Sequence, residues 1–397
     1  MFAARASHLR VRDGHAHHRV TYVELFFDLV FVFAVTQLSH GLLEHLTPLG
    51  ALQFGLLMIA VWWAWIDTAW ITNWLDPEKP AVRMLLFALM LGGLVLSVSI
   101  PKAFDERAMA FALAYVLMQA GRNLFMLWAL KRHDPGNYRN FLRITAWHVS
   151  AALFWIAGSF LHGTPRLVAW ALAVGVESVA PVCGFWVPRL GRSTTADWAV
   201  EGGHMAERCG LFIIIALGES ILITGATFAD LSWNVEIAGA FLVAFVGSVA
   251  MWAVYFNIGA ERASRQIVSS DDPGRLARSG YTYFHMPIVA GIIVAAVGDE
   301  LVLHNPGGYD GHTDIATAAA ILGGPVLYLA GNAIFKRLSA PYFPLSHLVG
   351  LGLLAALIPA VAYATPLALS VGTTTVMIIV AVWEWWSLRQ EAALAET

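Results

Sequence analysis

Apolar runs of about 20 residues follow one another from residue 21 to residue 388, and short polar stretches part them. Each run is long enough for a hydrocarbon core of ~30 Å. The pattern predicts twelve membrane-spanning helices: 21–45, 50–74, 82–101, 107–130, 141–162, 166–187, 205–229, 234–258, 281–304, 314–335, 345–364 and 366–388. Breakers and charges collect between them, in DPEKP at 76–80, KRHDPGNYR at 131–139 and VPRLGRSTT at 187–195. The longest gap, ERASRQIVSSDDPGRLARSG at 261–280, reads as a loop.

Charge fixes an expected orientation. The N-terminal arm and alternate loops, with the tail, hold 19 Lys and Arg, against Lys102, Arg107 and Arg166 in the opposite loops. Lys and Arg stay on the cytoplasmic side, so both termini are expected there. Only 13% of the chain is charged and 58% is hydrophobic, against about 25% charge in soluble domains. A net charge of -3 gives no basis for nucleic-acid binding. Cys183 and Cys209 lie in or beside apolar runs, which does not suit a disulfide framework. The first run is too long for a signal-peptide core, contains acids and lacks a small-residue cleavage site, so it is expected to remain as the first span.

The chain also repeats itself. LVFVFAVTQ at 29–37 resembles LFIIIALGE at 211–219, AGRNLF at 120–125 resembles AGNAIF at 330–335, and Thr164-Pro165 matches Thr365-Pro366. This predicts an all-α membrane protein of two parallel six-helix repeats, 20–187 and 204–388. A cytoplasmic arm (1–19), a linker (188–203) and a tail (389–397) complete it. Parallel-repeat transporters hold substrate near the midplane at the interface of the repeats.

VELFFDLVFVFAVTQLSH at 23–40 and HMAERCGLFIIIALGESIL at 204–222 resemble the two signature stretches of the bacterial low temperature requirement A (LtrA) family. The resemblance covers nearly the whole chain. It implies a multi-pass protein of the bacterial inner membrane, in a family named for a cold-growth phenotype, and brings no established substrate or reaction.

The candidate chemistry is the set of ionisable residues inside the spans, where charge is costly and usually faces a bundle interior, a partner or water. Glu24 and Asp28 are four apart and share a helix face. Gln37 and His40 point roughly the other way. Depth matching along alternating spans puts Asp67 and Arg122 at the level of Asp28, which predicts one cluster, either a structural ion pair or part of an ion path. Glu177 and Glu219 lie near span midpoints, where a carboxylate can carry a proton or lock packing. Glu219 takes the repeat position of Gln37. His204, Glu207 and Arg208, with His285 at a similar level, read as a cytoplasmic gate of salt bridges. HAHH at 15–18 reads as a solvated arm or a weak metal binder, Asp299-Glu300 as water-facing or as a cation-attracting vestibule, and Glu384 as interfacial and structural.

There is no Gly-rich phosphate loop, Ser/His/Asp motif or HExxH helix, so ATP-driven transport by this chain is not expected. No catalytic residue, metal site or cofactor is assigned. The expected partners are the lipid bilayer and a small solute or cation, with a homo-oligomer left open. The expected function is transport or conduction, with proton coupling as an option. Two alternatives stay open: a membrane-embedded enzyme acting on lipid through His204, Glu207 and His285, and a cold-stress sensor or scaffold without turnover.

Overall fold

The computed structural model describes residues 7–10, 19–198, 200–257, 259–338 and 342–395. The arm motif at 15–18 lies outside them. Among the described residues there is no sheet, only isolated bridges such as Leu9 with Leu75. The chain forms α1 (Tyr22–Glu44), α2 (Pro48–Trp74), α3 (Pro80–Ser99), α4 (Ala108–Leu130), α5 (Pro135–Ser159) and α6 (Thr164–Val179). It continues through α7 (Gly202–Asp230), α8 (Val235–Phe256), α9 (Gly259–Val268), α10 (Pro273–Leu276) and α11 (His285–His304). It ends with α12 (Ile315–Arg337), α13 (Leu345–Ala356) and α14 (Pro366–Ala395).

The boundaries have local causes. Proline opens α2, α3, α5 and α14, where its missing N–H has no partner to lose. Asn234 accepts from the Ile237 amide at 2.8 Å and caps α8, while Asp314 caps α12 through the amides of Ala316 and Thr317. Eleven helices among the described residues are long and apolar enough to cross a membrane, where the pattern predicted twelve. The exception is α6, which has 16 residues and ends at Val179, ahead of a turn in which Gly184 and Phe185 are left-handed, at φ 64° and 50°. Helix also replaces most of the loop expected at 261–280: α9, α10 and a π-helical stretch, Ala277–Tyr283, that leads into α11.

Burial on α1 is inverted relative to a water-soluble protein. Glu24 and Asp28 are 0% exposed, whereas Phe26 and Leu29 are 53% and 56% exposed. Water would stabilise the opposite arrangement; a bilayer stabilises this one. The protein is a multi-pass membrane protein.

The chain divides into two compact units, one of residues 1–41, 48–208 and 267–278, the other of 42–47, 209–266 and 279–397. In the first, Ile71, Leu75, Val82, Met126 and Phe141 pack together below a run of buried tryptophans. The Trp170 ring lies tilted at 5.2 Å from that of Trp155 and fills the space over Gly158, where a Cβ would come within 2.5 Å of it. In the second, α11 and α12 meet along glycines: a Cβ on Gly291 would lie 2.5 Å from the Tyr328 amide nitrogen, and one on Gly324 2.6 Å from that of Ala295. Small residues let backbones approach where lipid supplies no hydrophobic drive between helices.

Candidate functional site

Two buried ionic networks occupy the first unit. One joins α1 to the opening of α7. Their first turns run in the same direction, so two i, i+4 pairs meet rung by rung. His204 Nε2 lies 2.9 Å from Glu24 Oε1, and Arg208 donates to Asp28 Oδ1 at 2.8 Å. Trp65 Nε1 also donates to Asp28 Oδ1, at 2.7 Å, and its ring lies under the Arg208 guanidinium at 5.6 Å. Thr21 gives its amide and hydroxyl to Glu24 Oε2, both at 2.9 Å, which completes the α1 N-terminus. Arg10 reaches both Glu24 oxygens at 3.3 Å and gives its Nε to the Thr72 carbonyl at 2.8 Å, so it also closes the C-terminus of α2. Two carboxylates and two guanidiniums balance formally. Asp28 Oδ2 and Arg208 Nε are buried without a hydrogen-bond partner among the described residues, so the network retains unused capacity.

The second network is a string. Arg122 donates to Asp67 Oδ2 at 2.8 Å and also to the side-chain oxygen of Gln119. Gln119 Nε2 bonds Asp67 Oδ2 at 3.2 Å and the Tyr115 hydroxyl at 3.1 Å. Tyr115 in turn donates to Glu177 Oε2 at 2.7 Å. Beside Asp67 lies His148 Nε2, at 3.7 Å, with its Nδ1 2.7 Å from the Asn123 amide. The string borders a cavity of about 530 Å³ between α4 and α5, whose lining includes Tyr115, Gln119, Asn123, His148, Trp155 and Glu177. Its rim is apolar and outward-facing, with Leu124, Val149 and Leu153 each more than half exposed.

The residues matched by depth are thus divided. Asp67 and Arg122 meet, while Asp28 belongs to the Arg208 network. His204 and Arg208 are partners of the α1 acids, and Glu207 is half-buried, accepting from the Val20 amide at 3.2 Å. His285 lies in the second unit, with Nε2 at 2.6 Å from the Tyr255 hydroxyl and Nδ1 at 2.9 Å from the Gly280 carbonyl. Glu219 is buried on α7, Gln37 is half-buried and His40 is exposed.

The sequence reading missed Arg10, Tyr115, Gln119 and His148. Tyr115, Gln119 and Arg122 recur at i, i+4 and i+7 on α4, a polar stripe in an apolar helix that carried the signal. Two loop cations are also misplaced. Arg143 is buried against the Asn140 side chain at 2.7 Å, and Lys336 holds Glu384 at 2.7 Å together with the Val254 carbonyl at 2.6 Å. Glu384 is therefore one half of a buried ion pair with Lys336, which fits a structural role.

A family model described as bacterial low temperature requirement A protein (LtrA) matches residues 19–382. An uncharacterized protein of Rhizobium meliloti (strain 1021) is 39% identical over 394 residues, covering 98% of this chain and 94% of its own. No solved structure matches.

Proposed function

We infer that this chain, which belongs to the bacterial low temperature requirement A family, moves a small solute or cation across the membrane in step with protons. One observation carries the reading: two acids, Asp67 and Glu177, joined through Gln119 and Tyr115, with Glu177, Tyr115 and Gln119 lining a cavity of about 530 Å³. Stability does not call for such a string, since apolar residues of similar volume serve as well or better. Ionisable chains of this kind mark proton relays and substrate paths. Glu219 on α7 is a second acid in this reading, and the Glu24–His204 and Asp28–Arg208 rungs are its cytoplasmic gate.

The arrangement we favour is two parallel repeats, 20–187 and 204–388, in the bacterial inner membrane with both termini cytoplasmic. The shared direction of α1 and the first turns of α7 supports it, since each would open a repeat. With 16 residues, α6 is ~24 Å long at 1.5 Å per residue. We read it as a short twelfth crossing, with Arg166 in its first turn and Arg189 and Arg192 beyond its other end.

The test is flux in proteoliposomes over a panel of ions and small solutes, with and without a pH gradient. Glu177→Gln and Asp67→Asn should insert and fold while losing at least tenfold in flux or its pH dependence. Folded variants with wild-type flux from pH 5 to 9 would remove the string from the mechanism. Glu219→Gln is read in the same assay.

The outward-facing rim of the cavity favours a second reading, a membrane-embedded enzyme that takes lipid from the side. Against its proposed histidines, both ring nitrogens of His204 and of His285 are already engaged by protein groups. Turnover of any phospholipid in the same vesicles, followed by mass spectrometry, decides for it.

A further inference from the structure

The second unit contains a small cavity of about 30 Å³ between α8, α11, α12 and α14. That volume holds a water-sized species and excludes an organic cation or a hydrated ion. Its lining includes Asp299, Ile321, Pro325, Ser370, Thr373 and Thr374.

Asp299, Ile321, Ser370, Thr373 and Thr374 offer oxygen, for separate reasons. Asp299 lies in the C-terminal half of α11, half-buried, and no described residue donates a hydrogen bond to it or pairs with it. An acid within a span needs a partner, a proton, water or a cation. Ser370, Thr373 and Thr374 stand at i, i+3 and i+4, on one face of α14. Thr373 donates its proton to the Ser370 carbonyl at 3.0 Å, which leaves its oxygen as an acceptor. Pro325 has no N–H, so the Ile321 carbonyl one turn before it loses its usual helical partner. Glycines keep the space at this size: a Cβ on Gly298 would come within 3.2 Å of the Ile321 amide nitrogen, and one on Gly247 within 3.3 Å of Thr374 Oγ1.

We propose that Asp299, the three α14 hydroxyls and the freed Ile321 carbonyl bind one dehydrated, sodium-sized monovalent cation. Oxygen donors led by a carboxylate suit a hard cation; the lining's soft donors are the thioethers of Met251 and Met377. A single carboxylate neutralises one positive charge; a divalent ion would leave the second uncompensated in the hydrocarbon region.

Binding is read on purified full-length protein in detergent, without flux, so its outcome is separate from that of the transport reading. Thermal unfolding is followed at constant ionic strength while NaCl replaces choline chloride, with LiCl and KCl in parallel. The expected result is a saturable rise in midpoint with Na⁺, reached with K⁺ only at tenfold or higher concentration. Asp299→Asn should abolish the rise. Ser370→Ala combined with Thr374→Val, which spares the acid, should raise the half-saturating Na⁺ concentration at least tenfold and keeps the test decisive if Asp299→Asn does not fold. Equal curves in Na⁺ and choline, an equal rise with K⁺, or an undiminished Na⁺ response in either variant would overturn the site.

Discussion

Asp28 and Glu24 are fully buried, and Arg208 faces both, at 2.8 Å and 3.9 Å. Arg208→Ala leaves Asp28 without a cation while Glu24 keeps Arg10, and breaking one side of a buried pair costs about 3–5 kcal/mol. The variant is expected to show sharply reduced yield and a lowered unfolding midpoint in detergent. Arg208→Met with Asp28→Leu should recover much of the loss, because apolar replacement of a whole pair is often neutral or better. Arg122→Ala should cost less than Arg208→Ala, since the Asp67 side chain remains 19% exposed and can hydrate. Equal midpoints for the two alanine variants would contradict that ranking. The acids themselves were legible, because charge in an apolar run stands out. Their partners were not. Depth matching gives a level along the membrane normal and no azimuth, so it joined Asp28 to Arg122 when the cation at hand was Arg208, 180 residues away.

Helix ends and extents were the most legible feature, since hydropathy, proline and capping residues all act locally. Where a helix came out shorter than its predicted span, at α6, the chain leaves the helix after Val179 for a turn that holds two consecutive left-handed residues, Gly184 and Phe185. Packing between helices was not legible, because a glycine in an apolar run looks alike whether it meets lipid or backbone. The α11–α12 seam makes the distinction testable. Gly291→Ala forces a Cβ against the Tyr328 backbone and should lower stability. Gly323→Ala, whose Cβ would meet only Val294 Cγ1 at 3.8 Å, should be tolerated. At the head of α12, partial burial pushes the Asp314 carboxyl up, but the Thr317 hydroxyl and the amides of Thr317 and Ala316 outweigh it and hold the group below its ordinary value. Its capping contribution is therefore complete above the unfolded-state value of ~3.9 and fades as pH falls through the lower folded one. Asp314→Ala should cost about 0.5–2 kcal/mol at pH 7, and the gap from wild type should narrow below about pH 4 in matched thermal melts.

For the whole molecule, the predicted topology rests on the split of Lys and Arg. Two of the 19 counted cations, Arg143 and Lys336, turn out to be buried in the protein, yet removing both still leaves a large excess on one side. In a Cys183→Ser background, which removes the exposed native thiol, Ser269→Cys should resist an impermeant thiol reagent in intact cells. Tyr309→Cys, at a residue 66% exposed between α11 and α12, should react. Labelling at 269 would reverse the orientation, or the crossing number, on which the proton-coupled reading depends.

The rungs between α1 and α7 also set a timetable for biosynthesis. Ribosomes add roughly 5–20 residues per second, so Asp28 leaves the tunnel some 10–40 s before Arg208. For that interval the first helix carries two acids without the arginine that later faces them, at an insertion penalty of about 2.5–3.5 kcal/mol for a central charge. The nascent helix must therefore wait at the translocon or the interface, or enter protonated, until the seventh helix arrives. Secondary contacts to Arg10 and Trp65, both made within the first 65 residues, are what the early chain has to hold it in register meanwhile.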